Sequence, residues 1–263
     1  MGTSNVVIGG HVKDGNPLDI GADIGAEVVQ FFLSDPQDWK KPEPRADRDR
    51  LIAAPDAENI AIYIHSPYRI NLASTNNRIR IPSRKLLAQH ATAAAEIGAR
   101  GLIVHGGHVI KDDDPSVGVD NWRKAFAEAD KRGGFELPIL IENTAGGDHS
   151  MARRLDEIDR LWDAIGQYEP GFCLDTCHAH AGGIDLLSAV EKVTAITGKI
   201  DLIHCNDSRD EFDSGRDRHA TIGKGQIDPQ YLVEVIKAAD CPVVCETPLE
   251  HIAEDISFLR TNL

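Results

Sequence analysis

The sequence predicts a (β/α)8 barrel in a single domain, and three observations favour this fold class. Short apolar, β-rich runs alternate with helical patterns along the whole chain, and eight such units fit into 263 residues. The runs are almost uninterruptedly apolar, which is typical of parallel strands covered by helices. Metal-type side chains stand at the ends of most runs, and a barrel would bring these ends to one face. A doubly wound open sheet is the alternative that fits the same alternation.

The predicted elements follow one another from the first apolar run to the C-terminus. Strands are predicted over 6–10, 28–33, 60–65, 101–106, 138–143, 172–176, 201–207 and 242–247. Helices are predicted near 17–26, 47–54, 83–99, 120–132, 151–166, 185–197, 229–239 and 250–262. Asp228 before Pro229 predicts a helix start, and Ser83 is a second N-cap candidate. Residues 40–50 predict a loop leading into a helix, and no composition shift divides residues 1–263 into two domains.

Composition excludes several classes of protein. Hydrophobic residues make up 41% and charged residues 27% of the chain, which is ordinary for a globular domain and unlike a fibrous or disordered chain. Since no apolar run could span a bilayer and the N-terminus lacks a secretory pattern, we expect no membrane contact. Five cysteines without disulfide-type spacing predict a reduced, cytoplasmic location. The formal net charge of −14 argues against a general nucleic-acid binder, unless bound cations change the local sign.

Five imidazoles and four carboxylates stand at the predicted strand ends or in the loops that follow them. One such residue is more often a core histidine or a helix cap, but nine in one alternating pattern predict a metal cluster. Mixed nitrogen and oxygen donors suit zinc, manganese or iron better than magnesium or calcium. Nine ligands would serve two or three ions, and multi-metal sites are a recurrent solution for phosphoester cleavage. The nine candidates are His65, His105, Glu142, Asp175, His178, His204, Asp217, His219 and Glu246.

Three further segments bear on the site. Residues 142–149 are glycine-rich but lack the features of a phosphate-binding loop, so Gly146 and Gly147 are interpreted as turn residues. Residues 204–227 form a long loop in which the spacing of Asp217 and His219 lets both side chains share one face. Three cysteines beside candidate ligands are interpreted as small buried hydrophobes: Cys173, Cys177 and Cys205.

Several of these segments together resemble the endonuclease IV family of apurinic/apyrimidinic endonucleases, in its compact bacterial form. The resemblance spans residues 8–248, and the motifs occur in the order typical of the family. The matching segments are IGGHV (8–12), HSPYRINLAS (65–74), VHGGH (104–108), ENTAGG (142–147), CLDTCHAHAGG (173–183), HCNDS (204–208), GRDRH with IGKGQI (215–227) and CETP (245–248).

The resemblance implies three zinc ions, with Mn²⁺ as an alternative in one site. It implies that His65 and His105 bind one ion, which Glu142 bridges to a second. The remaining ligands that it implies are Asp175, His204 and Glu246 for the second ion, and His178, Asp217 and His219 for the third. Glu142, His105 and Asp175 are the residues expected to matter most for catalysis. The implied reaction is hydrolysis of the phosphodiester 5′ to an abasic site in duplex DNA, with 3′-end cleaning, in base-excision repair.

The resemblance also implies DNA contacts, and we expect the protein to act as a monomer. Tyr68 and Arg69 match the position of side chains that fill the gap left by a flipped nucleotide. Gln37 lies on the second such loop, and Arg218 stands in a basic group expected to meet phosphates. Asp35 and Asp38 depart from the polar or basic residues that the family often carries on this loop. Three histidines complete the expectations: His180 replaces a usual aromatic residue, and His11 and His108 are expected to orient ligands or touch phosphate.

Two other functions fit parts of the sequence. A metal-dependent sugar isomerase or epimerase on a related barrel would use ligands from the later strands, but it has no need for the group His178, Asp217 and His219. A non-catalytic DNA- or metal-binding barrel would fit the acidic charge and the altered 34–39 loop.

Overall fold

The computed structural model describes residues 6–263, and within them eight parallel strands close into a barrel. Their order around the barrel is β1-β10-β7-β6-β5-β4-β3-β2, while β8 and β9 form a separate antiparallel ribbon. The closed barrel confirms the predicted fold class and excludes the open sheet. The strands are β1 (Ile8–His11), β2 (Val28–Phe32), β3 (Ala61–His65), β4 (Leu102–His105), β5 (Ile139–Glu142), β6 (Gly171–Asp175), β7 (Leu202–His204), β8 (Asp207–Ser208), β9 (His219–Ala220) and β10 (Val243–Cys245).

Helices cover the outside of the barrel. In the part of the chain that the structure describes, no helix is both long and apolar enough to pass through a bilayer. The helices are α1 (Pro17–Asp23), α2 (Arg48–Ala57), α3 (Asn77–Glu96), α4 (Pro115–Asp130), α5 (Leu155–Ile165), α6 (Thr176–Gly182), α7 (Leu186–Thr197), α8 (Pro229–Ala239) and α9 (Leu249–Asn262).

Successive side chains along each barrel strand point alternately into two hydrophobic cores. On β5, Ile139 and Ile141 belong to the large core shared with the helices, whereas Leu140 belongs to a small core inside the barrel. Because side chains on a strand alternate between its faces, Glu142 points to the same side as Leu140. The same two-residue step leads from an inner-core residue to a polar residue at or near the end of six other strands. These pairs are Val28 and Gln30, Tyr63 and His65, Ile103 and His105, Cys173 and Asp175, Leu202 and His204, and Val244 and Glu246.

Two predicted helix starts are wrong. Helix α3 begins at Asn77 rather than near residue 83, because the Asn76 side chain caps it by accepting from the backbone N–H of Arg78. Ser83 is therefore not a cap: it is buried inside α3, and its hydroxyl donates to the Ile79 carbonyl. Helix α4 begins at Pro115 rather than near residue 120, because Asp114 caps it. By contrast, the predicted start at Asp228 and Pro229 is confirmed.

Other boundaries also differ from the prediction. Helix α5 begins at Leu155, not at residue 151, because Glu157 folds back to accept from the backbone amides of Arg153 and Arg154. His11 is the last residue of β1, and the strand at 172–176 ends at Asp175 because Thr176 begins the short helix α6. The predicted first strand begins at residue 6, and residues 1–5 of the predicted domain lie outside the described residues.

Candidate metal centre

All nine candidate ligands converge at the carboxyl end of the barrel. Strand register explains much of this, since His105 lies opposite Glu142 and Asp175 lies opposite His204 on paired strands. The donor atoms form three groups, and within each group they lie within 4.8 Å of one another. The groups are His65, His105 and Glu142; then Glu142, Asp175, His204 and Glu246; then His178, Asp217 and His219. We call these nine side chains the floor.

Glu142 joins the first two groups through its two different oxygens. Its Oε2 lies 3.1 Å from His65 Nε2 and 3.2 Å from His105 Nε2. Its Oε1 lies 3.0 Å from Nδ1 of His204, on the other side of the carboxylate. Burial alone would raise the pKa of Glu142, but His204 and His105 outweigh it and hold that pKa well below its usual range. The Glu142 side chain is therefore an anion that faces two sets of donors at once.

The third group contains donor atoms without hydrogen-bond partners. Nε2 of His178 and Nε2 of His219 are both buried and, among the described residues, accept or donate no hydrogen bond. Each nevertheless lies 3.1 Å from an oxygen of Asp217. Atoms that approach closely without hydrogen-bond geometry are arranged around a shared point rather than aimed at one another. This arrangement, together with the N/O donor set, fits a divalent transition ion.

In two of the floor histidines, the ring nitrogen that faces away from the floor, here called the remote nitrogen, is held by a hydrogen bond. The other ring nitrogen is thereby left free to bind a metal. Nδ1–H of His65 donates to the Ser66 carbonyl at 2.7 Å, and Nδ1–H of His178 donates to the Asn143 carbonyl at 2.9 Å. Because a carbonyl can only accept, both rings carry the proton on Nδ1 and present Nε2 to the floor.

Two asparagines hold the buried carboxylates in place. The side chain of Asn206 donates to Asp175 Oδ2 at 2.7 Å and to Glu246 Oε2 at 3.2 Å. The side chain of Asn143 accepts from the backbone N–H of Asp175 at 2.8 Å and donates to its carbonyl at 3.0 Å. Burial raises the pKa of Asp175, so this carboxylate depends on cationic or hydrogen-bonding partners. Neither asparagine was among the predicted site residues, although each lies next to or near a candidate ligand in the ENTAGG and HCNDS segments.

A network of polar contacts fixes the loop that carries Asp217 and His219. The buried carboxylate of Asp207 accepts from four backbone amides, those of Ser208, Gly223, Gly225 and Ile227. The middle of the loop is tied down elsewhere, since Asp213 pairs with both Arg153 and Arg154. Gly146 allows the close approach of this loop, because a Cβ there would lie 2.1 Å from the Gly215 carbonyl oxygen. Gly146 is thus a packing site for the loop, whereas Gly147 has the positive φ of +100° that suits a turn residue.

Comparison with known proteins agrees with this geometry. A profile of the family described as "Xylose isomerase-like TIM barrel" matches residues 18–262. A protein of Mycobacterium tuberculosis (strain ATCC 25177 / H37Ra) named "Probable endonuclease 4" is 56% identical over 255 residues, which is 97% of this chain and 98% of that protein. The chain belongs to the endonuclease IV family. It is therefore an enzyme that hydrolyses phosphodiester bonds.

Two solved structures have a fold similar to that of this chain. Endonuclease IV from Thermus thermophilus is 26% identical, with a TM-score of 0.83 over 97% of this chain and 98% of that one. A D-tagatose 3-epimerase-like protein reaches a TM-score of 0.81 at 19% identity, over 98% of this chain and 97% of that one. At that identity the second likeness concerns the fold alone. A barrel shared by endonuclease IV and epimerase-like proteins means that the side chains of the floor, and not the fold, must decide between the two activities.

Three predicted DNA contacts of this endonuclease IV family member come together above the floor. Tyr68 stacks on His105, with ring centroids 5.7 Å apart, and its backbone N–H donates to the Pro36 carbonyl at 3.0 Å. Nε–H of Arg69 donates to the carbonyl of Gln37, so the loops 34–39 and 66–69 are joined. We call these two loops, together with residues 209–216 and Arg218, the rim.

The remaining residues predicted to contact DNA or the metal ligands are held by other parts of the protein or lie away from the rim. Arg218 and Arg216 both pair with Asp210, and Nε2–H of His180 donates to the Asp210 carbonyl at 3.1 Å. Asp38 pairs with Lys40 at 2.9 Å, and this hydrogen bond lowers the pKa of Asp38. His108 is exposed, and its backbone is bound by Asn71. His11 is buried beside the floor, 3.6 Å from Glu246, rather than at the rim.

The cysteines behave as the sequence predicts. All five are free thiols, and Cys173, Cys177 and Cys205 are buried. The Cys177 sulfur lies within 4.8 Å of donor atoms of Asp175 and His219. However, burial raises the pKa of the Cys177 thiol to about 12, which disfavours the thiolate that a metal would need.

Proposed function

We propose that the chain is a zinc-dependent apurinic/apyrimidinic endonuclease of base-excision repair. Its reaction would be hydrolysis of the phosphodiester 5′ to an abasic site in duplex DNA, with 3′-end cleaning as a related activity. The observation that carries the proposal is the joining of three donor groups into one floor, two of them through Glu142. Relatives named "Probable endonuclease 4" support the substrate class.

The proposal assigns three zinc ions to the three donor groups. His65 and His105 would hold the first ion, and Glu142 would bridge it to the second. The remaining ligands are Asp175, His204 and Glu246 for the second ion, and His178, Asp217 and His219 for the third. Mn²⁺ is the alternative in one site, because N/O donor sets also accept it. When bound, such ions supply hydroxide at neutral pH and neutralise charge on the attacked phosphate.

The protein's own residues would position the substrate around this floor. Glu142, His105 and Asp175 belong to the donor groups, so they would act by holding the ions against the reacting phosphate. Tyr68 would stack in the space left by the flipped nucleotide, with Arg69 and Gln37 beside it. Arg218, on another part of the rim, would contact phosphate in competition with its partner Asp210.

A sugar isomerase or epimerase is the alternative activity on this barrel. The group His178, Asp217 and His219 weighs against it, since polyol rearrangement has no use for a third metal group. We also propose one domain over residues 1–263, a monomer, and a reduced cytoplasmic location. The five free cysteines support the location.

A defined duplex tests the proposed function. Metal-loaded protein is incubated with a duplex that contains one tetrahydrofuran abasic mimic, and with the same duplex without the lesion. We expect one incision, 5′ to the mimic, that a chelator abolishes and added Zn²⁺ restores. Incision of neither duplex by protein with full metal content would refute the proposal.

A further inference from the structure

Gln30 lies beside the floor and contacts two of its ligands, although it is not itself one of the nine. It is fully buried on β2, two residues after Val28 of the inner core. Its Nε2 lies 2.8 Å from Glu246 Oε1 and 2.9 Å from His11 Nδ1. Its Oε1 lies 2.8 Å from His204 Nε2. These three partners of the carboxamide therefore belong to, or adjoin, one metal group.

The charge of Glu246 fixes the direction of every hydrogen bond in this set. A carboxylate can only accept, so the NH₂ group of Gln30 must face Glu246 and its carbonyl must face His204. The carbonyl then requires a proton on His204 Nε2, so in the neutral ring Nδ1 is the nitrogen that can bind an ion. That Nδ1 lies 3.0 Å from Glu142 and 3.3 Å from Glu246, at the second donor group. The second N–H of Gln30 donates to His11 Nδ1 by the same reasoning.

We propose that Gln30 is a positioning residue for the second metal group, acting through His204 and Glu246. It holds His204 in the tautomer that presents Nδ1, and it orients the Glu246 carboxylate. The inference rests on the proposed function, because it requires that this group holds an ion. A hydrogen bond on the remote nitrogen of a ligating histidine fixes its orientation and its basicity.

The contribution of Gln30 can be tested by substitution, unlike that of the groups that hold the remote nitrogens of other ligating histidines. The remote nitrogens of His65 and His178 are held by backbone carbonyls, which no substitution removes. The remote nitrogen of His204 is held by a side chain, so the contribution of such a bond can be isolated at this ligand. Leucine is the replacement of choice, since it has a similar volume and no polar atoms.

The test compares Gln30→Leu with Asn121→Leu. Asn121 is also a buried carboxamide, but it donates to the backbone carbonyls of Ala73 and Ser74, away from the floor. Zinc-loaded wild type and both variants are titrated with a competing chelator, and the metal retained per chain is counted. Thermal unfolding of each loaded protein is measured in parallel.

We expect Gln30→Leu to lower the affinity for one equivalent of zinc about 10-fold to 100-fold, with the other equivalents retained as in wild type. Asn121→Leu should lower the unfolding temperature without changing the zinc titration. Equal retention in Gln30→Leu and wild type, or an equal loss of all equivalents, would overturn the inference. In either case zinc binding by wild type would leave the proposed function standing.

A spectrum of the wild-type protein gives a second test that needs no variant. In zinc-loaded protein labelled with ¹⁵N-histidine, His204 should carry its proton on Nε2 and bind zinc through Nδ1. A His204 ring protonated on Nδ1 would overturn the inference even if Gln30→Leu failed to fold.

Discussion

The floor and the rim differ in burial and in how their side chains are held. Glu142, Asp175 and His204 on the floor are almost completely buried, and each is fixed by partners from several strands. On the rim, Tyr68 is 47% exposed, and the arginine side chains are largely in solvent. Six of the nine floor residues lie at or directly after the ends of barrel strands, whose direction the barrel imposes, whereas rim residues depend on contacts between loops. The floor is therefore suited to chemistry that tolerates no movement, and the rim to a substrate that must be gripped and released.

Glu142→Gln tests the floor and should have the largest effect. A neutral amide would bridge two cations poorly, so incision of the tetrahydrofuran duplex should fall by about a thousandfold or more. Circular dichroism should show that the barrel persists, while metal counting shows fewer retained ions. Incision at the wild-type rate would contradict the bridging role of Glu142.

Tyr68→Ala tests the rim. Loss of one aromatic stacking surface should raise KM for the lesion duplex about tenfold to a hundredfold, with a smaller change in kcat. Tyr68→Phe keeps the ring and is the matched control, so its KM should stay near that of wild type. If Tyr68→Ala bound lesion DNA as tightly as wild type, Tyr68 would have no part in substrate recognition.

The acidic residues of the 34–39 loop test whether the rim limits binding. The double variant Asp35→Asn and Asp38→Asn should tighten duplex binding about threefold to tenfold at low salt, because two charges near phosphate are removed. Asp38 is already paired with Lys40, which keeps the expected gain modest. The control variant Asp23→Asn with Asp130→Asn removes the same charge at the ends of α1 and α4. Equal affinities of the two double variants, measured by fluorescence anisotropy, would mean that the loop faces away from DNA.

The substitution His90→Gln should have the smallest effect, and it tests how the 34–39 loop of the rim is anchored. It lies on α3, donates from Nδ1 to the Leu86 carbonyl and accepts at Nε2 from Ser34 at 3.1 Å, at the base of the 34–39 loop. Burial lowers the pKa of His90 below 6.5, its unfolded value. The unfolded chain therefore gains a proton first as the pH falls, and the stability that neutral His90 contributes above pH 6.5 is lost below it. Between pH 7.5 and 5.5, wild type should lose more unfolding free energy than His90→Gln. Parallel pH dependences in denaturant titrations would show that His90 does not titrate in this way.

The sequence predicted the floor far better than the rim. A period of two along each strand carries an inner-core residue such as Leu140 to a floor residue such as Glu142, and this needs no tertiary information. The same step leads from Val28 to Gln30, so a polar residue within the apolar run VVQFFL was the signal for this residue, which the prediction missed. Convergence of the six strand-end candidates thus followed from local pattern once the barrel was assumed, whereas the other three, His178, Asp217 and His219, lie on α6 and on the 204–227 loop.

Long-range contacts set the features that the sequence could not show. A proline such as Pro82 ordinarily interrupts a helix, so the pattern placed the start of α3 after it, yet α3 begins at Asn77 and continues through Pro82. The pairing of Arg218 with Asp210, and of Asp213 with Arg153 and Arg154, depends on how the 209–218 loop packs. Nothing in the spacing of charges along the chain identifies these partners.

Metal analysis of the purified protein measures directly whether the nine side chains of the floor hold three cations. The protein is prepared without chelators, and its transition metals are measured by mass spectrometry against an amino-acid analysis. We expect three equivalents per chain, with zinc predominant. If no stoichiometric transition ion were found, either as isolated or after reconstitution with Zn²⁺, the floor would not be a metal centre.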